Sequence, residues 1–211
     1  LGPLGAMCRQ YLRAPSVVVE LDWQRGAEPT AAARQHLVAV LRQATQADVT
    51  LAGGSEIPGE AEVSSPDSLR ALAAAHRDTF STQDRAVMYV LSVRGRFQEE
   101  SALGVAYRAS EFAIFPDLIG GLSALLGGRA AIERAVLVHE AGHLLCLVNI
   151  GYSSAFDRED PDHPKHSSDR SSAMHWAIET SAIAQLFSGP PPDTFTAQDL
   201  ADLEGLRSGR Y

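Results

Sequence analysis

The sequence predicts an α+β fold in which a twisted mixed sheet is backed by helices. Segments rich in β-branched residues alternate with helical patterns over residues 16–115, and a long proline-free stretch rich in Ala, Leu and Val follows them. The chain has 211 residues, of which 45% are hydrophobic and 21% charged. A chain of this length and composition can bury a full core, so we expect one domain.

The predicted elements follow from hydrophobic patterning and from capping residues. Strands are predicted at 16–23, 49–52 and 86–93, with one or two more over 103–115 and a turn at Gly53-Gly54 between the second strand and the next helix. Helices are predicted at 29–47, 66–80, 128–148, 174–187 and 196–206. Strands and helices thus precede the long helix, and a smaller helical part follows it.

The domain is expected over residues 8–211, with an N-terminal part to about residue 148 and a C-terminal part over 149–211. Residues 1–7 resemble the remnant of a removed affinity tag, so we leave them out of the fold prediction. The two cysteines, Cys8 and Cys146, do not make a disulfide framework, and we expect an ordinary thiol and a small buried hydrophobe. The sequence does not fix the cellular compartment, although it weakly favours a secreted or cell-envelope protein.

The charge of the chain limits its partners. A net charge of −8 with no cluster of basic residues argues against nucleic acids and anionic membrane surfaces. We also expect no membrane span, because no eighteen consecutive apolar residues occur. The sequence says nothing about oligomeric state.

The segment His139-Glu140-Ala141-Gly142-His143 indicates a metal-binding site. Histidines four residues apart share one face of a helix, so their imidazoles can bind one Zn²⁺ ion together. Zinc held in this way lowers the pKa of a bound water toward about 7, and a neighbouring carboxylate takes up the proton as the water attacks a carbonyl carbon. Glu140 is placed for that role. The motif therefore predicts a zinc peptidase, with a peptide or protein as its substrate.

A catalytic zinc site needs a third protein ligand, and the sequence leaves its identity open. In gluzincins a Glu from a following helix supplies it, and Glu179 is a possible donor. Metzincins continue as H-E-x-x-H-x-x-G-x-x-H, but here Cys146 and Asn149 stand at the Gly and third His positions. Since Cys is poorly suited to positive φ, we expect the helix to run on to 149–151 and the ligand to arrive later. The following segment contains His163 and His166.

The segment from His166 to Met174 resembles the corresponding part of the archaemetzincins, a branch of the metzincins. In that family the third histidine is followed by Cys, four residues, Cys, one residue and the Met of the Met-turn. His166 and Met174 have this spacing, and Ser167 and Ser172 replace the two cysteines. The resemblance covers about residues 129–180.

The resemblance implies a set of residue roles. Met174 would form the floor of the site, Glu140 would be the general base, and the zinc ligands would be His139, His143 and His166. His163 stays an alternative third ligand, because it lies on the same loop three residues before His166.

The resemblance also implies a metzincin-like catalytic domain, with a zinc helix, a Met-turn and a C-terminal helix added to the sheet. In that family the last strand before the zinc helix is the edge strand along the cleft and binds substrate as an added strand. We therefore expect the segment 103–115 to offer backbone hydrogen bonds to a peptide.

Taken together, these patterns predict a zinc-dependent endopeptidase in which Glu140 is the general base of a metal-activated water. One alternative is a gluzincin-type peptidase with Glu179 as third ligand. Another is a non-catalytic peptide-binding or regulatory domain in which zinc is structural. The retained Glu140 argues against the second alternative, because a structural zinc site does not need a general base.

Overall fold

In this computed structural model the chain folds around a six-stranded mixed sheet, and the structure describes residues 3–52, 54–58, 65–97 and 101–211. The strand order is β2-β1-β4-β6-β5, and β3 pairs with the end of β1. The strands are β1 Ser16–Gln24, β2 Asp48–Leu51, β3 Glu56–Ile57, β4 Arg85–Ser92, β5 Gly104–Arg108 and β6 Glu111–Ile114. All pairs are parallel except the hairpin of β5 and β6, so β5 is an antiparallel edge strand.

The helices cover both faces of this sheet. They are α1 Pro3–Arg13, α2 Ala31–Thr45, α3 Pro66–His76, α4 Pro116–Leu122, α5 Arg129–Leu144, α6 Ile183–Leu186 and α7 Ala197–Ser208, with a 3₁₀ helix at Trp176–Glu179. Helices α1, α2, α5 and α7 share the larger hydrophobic core, and α3 packs into a second core on the opposite face. The mixed sheet with backing helices confirms the predicted fold class.

Local sequence signals account for the ends of several helices. The Thr30 side chain accepts a hydrogen bond from the backbone N–H of Ala33 and caps α2. Ser65 and Thr196 form capping boxes at the starts of α3 and α7. These three predicted starts are correct to within about two residues, the usual uncertainty of a helix boundary.

Helix α5 is buried on nearly every side, which is why its sequence is apolar around most of its circumference. It packs against α2 on one side and against β5 and β6 on another. Charged and imidazole side chains that are buried on such a helix lower the stability of the fold unless they form hydrogen bonds or ion pairs. Those that α5 carries are therefore the ones whose surroundings need an explanation.

The predicted helix over 174–187 is wrong. No single helix spans 174–187; instead the 3₁₀ helix Trp176–Glu179 is followed by extended backbone at Thr180 and by the short α6. Thr180 pairs with Ala102 in a β-bridge, and the Ser181 N–H donates to the carbonyl oxygen of Ser101. This added pairing beside β5 supplies backbone hydrogen bonds that a continuous helix would exclude.

Residues 3–7, which we left out of the fold prediction, belong to helix α1, which begins at Pro3. Met7 packs against the larger core. Side chains from the C-terminal part, among them Met174 and Leu203, belong to that same core. The division at residue 148 stays a prediction, as does the origin of residues 1–7.

The predicted turn at Gly53-Gly54 lies partly outside the described residues, since Gly53 is not among them. In the described part of the chain, no helix is long and apolar enough to cross a membrane.

Candidate metal centre

Helix α5 brings His139 and His143 together as the four-residue spacing predicts. Their Nε2 atoms lie 3.1 Å apart, and their rings are nearly perpendicular. His139 is fully buried, and its Nδ1 lies 2.7 Å from the carbonyl oxygen of Ala173. A carbonyl oxygen only accepts, so Nδ1 carries the proton and the Nε2 lone pair of a neutral His139 faces the cluster.

His166 joins the pair from the loop that precedes Met174. Its ring stacks on that of His139 at a centroid distance of 5.2 Å and stands perpendicular to that of His143 at 4.9 Å. The Nδ1 of His166 lies 3.2 Å from the carbonyl oxygen of Pro164, so Nδ1 is again the donor and Nε2 the acceptor. That Nε2 is buried and accepts no hydrogen bond from the described residues.

The loop is anchored by Glu159, which sequence reasoning did not identify. Its carboxylate accepts from the side-chain amide of Asn149 at 2.6 Å and from the backbone N–H of Lys165 at 2.6 Å. Lys165 has a positive φ of 70° and directly precedes His166. Asn149, at the position of the third histidine in the short metzincin motif, therefore helps to hold the loop rather than joining the cluster.

His163 does not lie in the cluster. Its ring stacks on that of Trp176 at a centroid distance of 4.0 Å, and its Nδ1 lies 3.2 Å from a carboxylate oxygen of Asp160. These contacts account for the side chain without a metal.

Glu179 lies against the three imidazoles. Its Oε1 is 3.0 Å from Nε2 of His166, and its Oε2 is 3.5 Å from Nε2 of His139. One donor atom from each of His139, His143, His166 and Glu179 lies within 4.8 Å of the other three. Two residues that the sequence offered as rival third ligands, His166 and Glu179, thus stand together.

The predicted extension of α5 to residues 149–151 is wrong. The helix ends at Leu144, and Cys146, Val148 and Asn149 have φ values of 65°, 57° and 63°. The chain therefore reverses at the position where the short metzincin motif has Gly, although Cys stands there. Left-handed backbone at non-glycine residues costs of order 1–3 kcal/mol each.

A disulfide between Cys8 and Cys146 holds this strained turn, so the expectation of two unlinked cysteines is wrong. The bond ties α1 to the end of α5 across 138 residues of sequence. Burial of Leu145, Leu147 and Val148 in the larger core also offsets the strain. A single pair of cysteines gives no sequence signal for such a long-range link.

Met174 is fully buried in the larger core and packs against α5 at Gly142. A Cβ at Gly142 would overlap its Sδ and would lie 3.1 Å from Cε1 of Phe195. Glycine between Glu140 and His143 therefore lets Met174 pack directly against α5. The Ser172 hydroxyl accepts from the Met174 N–H at 2.9 Å and donates to Asp199, which also pairs with the buried Arg158.

Glu140 is fully buried beside the cluster, and neither carboxyl oxygen makes a hydrogen bond of ordinary geometry with the described residues. A Cβ at Gly104 of β5 would lie 2.5 Å from its Oε1, so glycine there leaves room for the carboxyl group. Burial, together with the negative charge of Glu179, raises the pKa of Glu140 well above its usual range, while the Ala106 amide acts in the opposite direction.

Two other groups of the cluster have pKa shifts that favour the binding of a cation. Burial lowers the pKa of His143, and the neighbouring His139 lowers it further, which favours the neutral imidazole that binds metals. Burial alone would raise the pKa of Glu179, but the imidazoles of His139 and His166 beside the carboxylate outweigh this effect and hold that pKa well below its usual value. In the absence of a cation these shifts favour the charged carboxylate at Glu179 and the protonated carboxyl group at Glu140.

The donor set fits a zinc ion. Tetrahedral zinc with Zn–N distances of about 2.0–2.1 Å holds its nitrogens about 3.3 Å apart, close to the 3.1 Å separation of the His139 and His143 Nε2 atoms. Both His139 and His166 present Nε2 lone pairs, and the Nε2 of His166 makes no hydrogen bond of ordinary geometry with the described residues. A shared cation satisfies these groups together.

A cleft of about 360 Å³ opens beside the cluster. Strand β5 forms one wall through residues 105–108, and Leu144 and Ile150 contribute an apolar wall. Lys165 and Arg108 also line it. The strand at the cleft is thus β5, whereas β6, the last strand before α5, lies inside the sheet; both belong to the predicted segment 103–115.

Comparison with solved structures relates this fold to two archaemetzincins. The structure from Methanopyrus kandleri matches with a TM-score of 0.57 and 15% sequence identity, covering 93% of this chain and 98% of that chain. The structure from Archaeoglobus fulgidus, complexed with malonate, matches with a TM-score of 0.50 and 12% identity, covering 89% and 99%. No protein-family model matches the chain, and no curated protein does. At these identities the likeness establishes the fold, which is that of archaemetzincins.

Proposed function

We propose that the chain is a zinc-dependent peptidase whose metal ligands are the Nε2 atoms of His139, His143 and His166. The observation that carries this proposal is the meeting of these atoms beside a buried Glu140 whose carboxyl oxygens make no hydrogen bond of ordinary geometry with the described residues. The archaemetzincin-like fold supports it, because the structures similar to this chain are archaemetzincins.

A bound zinc ion supplies a Lewis acid that polarises a peptide carbonyl and activates water. Glu140 acts on the proton: its carboxylate accepts a proton from the attacking water and delivers it to the leaving amine. Its burial raises its pKa, which makes its carboxylate a stronger base for the first of these steps.

The other residues of the site position these groups. The Ala173 carbonyl oxygen orients His139, and the Pro164 carbonyl oxygen orients His166. Among the described strands, β5 is the edge strand and borders the cleft, so an extended peptide there gains backbone hydrogen bonds without sequence-specific contacts. Endopeptidase activity on extended segments is the mode that this arrangement favours.

The test compares two glutamates of α5. Zinc-loaded wild type is incubated with a mixture of unstructured peptides, and products are identified by mass spectrometry. We expect cleavage by wild type and a loss of about 10²–10⁴-fold for Glu140→Gln at unchanged zinc content. The matched control, Glu133→Gln, changes an equally buried glutamate of the same helix and is expected to retain cleavage. Equal cleavage by wild type and Glu140→Gln would remove Glu140 from the mechanism.

The non-catalytic alternative has one observation in its favour, namely that four protein donors meet, as in structural zinc sites. It predicts that wild type cleaves none of the peptides and loses its fold when zinc is removed. Retention of the fold without zinc, together with cleavage when zinc is present, separates the catalytic proposal from it.

A further inference from the structure

Glu179 occupies the side of the cluster that faces the cleft. Its side chain is 27% exposed, and it lines the cleft together with His143 and His166. In the described part of the chain, the ionic contacts of its carboxylate are with the three imidazoles: 3.0 Å to His166, 3.5 Å to His139 and 3.9 Å to His143. The carboxylate is therefore directed at the point where the three Nε2 atoms converge.

The donor count distinguishes two kinds of zinc site. Catalytic zinc has three protein ligands and a position open to water or substrate, whereas closed structural sites have four protein ligands. With Glu179 in place the cluster offers four donors, one from each residue. As the chain stands, its donor set is that of a closed site beside a general base.

The backbone of Glu179 is fixed to the strand that borders the cleft. Its carbonyl oxygen accepts from the Leu103 N–H at 2.6 Å, and Thr180 bridges Ala102. Leu103 directly precedes β5, whose residues 105–108 form the cleft wall. A peptide that pairs with the edge of β5 thus adds to the same local sheet that carries Glu179.

We propose that Glu179 is a displaceable fourth ligand that closes the metal site in the resting chain, and that an oxygen atom of the substrate replaces its carboxylate during binding. This inference rests on the proposed function and adds a regulation to the same site. Displacement needs little rearrangement, because the side chain ends a four-residue 3₁₀ helix and already borders the cleft. Its carboxylate oxygens lie beside the Nε2 atoms of His139 and His166, so a substrate carbonyl or carboxylate that approaches the metal competes for the same position.

The experiment measures access to the metal rather than turnover. The full chain is loaded with Co²⁺, whose visible absorption changes when its ligands change, and is titrated with azide as a small competing anion. Wild type is compared with Glu179→Gln and Glu179→Ala, and Glu204→Gln on the exposed side of α7 is the control. We expect azide to change the spectra of both Glu179 variants at concentrations at least tenfold lower than in wild type and in the control.

The contrary results are distinct. The same azide dependence in all four proteins would show that the site is already open and would overturn the inference. Loss of Co²⁺ from both Glu179 variants, with retention by His166→Ala, would make Glu179 an obligate third ligand and would also overturn it.

Failure of the proposed function has a different signature from failure of this inference. If wild type binds no Co²⁺ or Zn²⁺ at all, both proposals fall. If it binds metal but Glu140→Gln retains full cleavage, only the proposed mechanism falls, because azide access depends on Glu179 and not on Glu140.

Discussion

Helix α5 buries two glutamates about two turns apart, and their surroundings differ. Glu133 accepts hydrogen bonds from the Thr30 N–H at 2.8 Å and from Arg129 at 2.6 Å. Glu140 is equally buried, yet its oxygens have no partner of ordinary geometry among the described residues. Glu133 joins two elements of the fold, whereas Glu140 costs stability and lies beside the imidazole cluster. This difference supports the proposed role of Glu140 in proton transfer.

The two ends of the helix differ in the same way. At the start, Arg129 and Glu133 satisfy each other, and the chain enters the helix from Gly128. At the end, the imidazoles converge and the chain leaves through a strained turn that is held by the Cys8–Cys146 disulfide. Strain of this kind persists where surrounding structure enforces it, and it concentrates at functional sites. The first half of α5 thus contributes to stability, and the second half carries the candidate metal ligands.

The largest expected effect concerns metal affinity. His139→Ala removes a buried imidazole whose Nε2 faces the cluster, and we expect zinc affinity to fall by about 10³-fold or more, equivalent to about 4 kcal/mol. His163→Ala is the matched control, because His163 stacks on Trp176 outside the cluster. Competition with a fluorescent zinc chelator measures both. Equal affinities of the two variants would contradict the assignment of the cluster.

The next effect tests the turn after α5. Cys8→Ser removes the disulfide without changing the residue at positive φ, and we expect a loss of about 2–4 kcal/mol in the free energy of unfolding. Chemical denaturation with and without dithiothreitol measures it. Reductant should lower the midpoint of wild type to that of the variant and leave the variant unchanged. A midpoint of wild type that is insensitive to reductant would show that the cysteines are not linked.

The smallest expected effect separates the two glutamates directly. Glu133→Gln replaces a carboxylate that accepts two hydrogen bonds, and we expect a loss of about 1–3 kcal/mol in unfolding free energy. Glu140→Gln should leave the metal-free protein as stable or more stable, because it removes a buried acid without partners. Urea denaturation of the metal-free proteins gives both values.

The pH dependence of that comparison has a defined sign. The pKa of Glu140 is raised in the folded state, so its contribution to stability is present below its usual pKa and is lost as pH rises through the raised value. Wild type should therefore lose stability relative to Glu140→Gln as pH rises from about 4.5. A difference that does not change with pH would show that the group is not held in its protonated form.

Local signals predicted much of this arrangement. Proline-free helical patterning and the four-residue spacing placed His139 and His143 on one face of α5, and β-branched runs predicted β1 and β4. The spacing to Met174 favoured His166 over His163, and the structure brings His166 to the cluster. These features depend on contacts that are near in sequence or on periodicity, which a single chain displays.

The missed features depend on distant contacts. Nothing near Cys146 indicates that Cys8 will lie beside it, so the turn at positive φ could not be predicted. Gly104 is 36 residues from Glu140, and its role is visible only when β5 packs on α5. The meeting of His166 and Glu179 could not be predicted either, because it is the pairing of Thr180 with Ala102 that brings Glu179 to the same point as His166.

The most direct test of the central claim is a crystal of the zinc-loaded chain measured at the zinc absorption edge. We predict one anomalous peak about 2.0–2.2 Å from the Nε2 atoms of His139, His143 and His166, with the carboxyl group of Glu140 beside it but not bound to it. A peak at any other position, or no peak after zinc loading, would contradict the account.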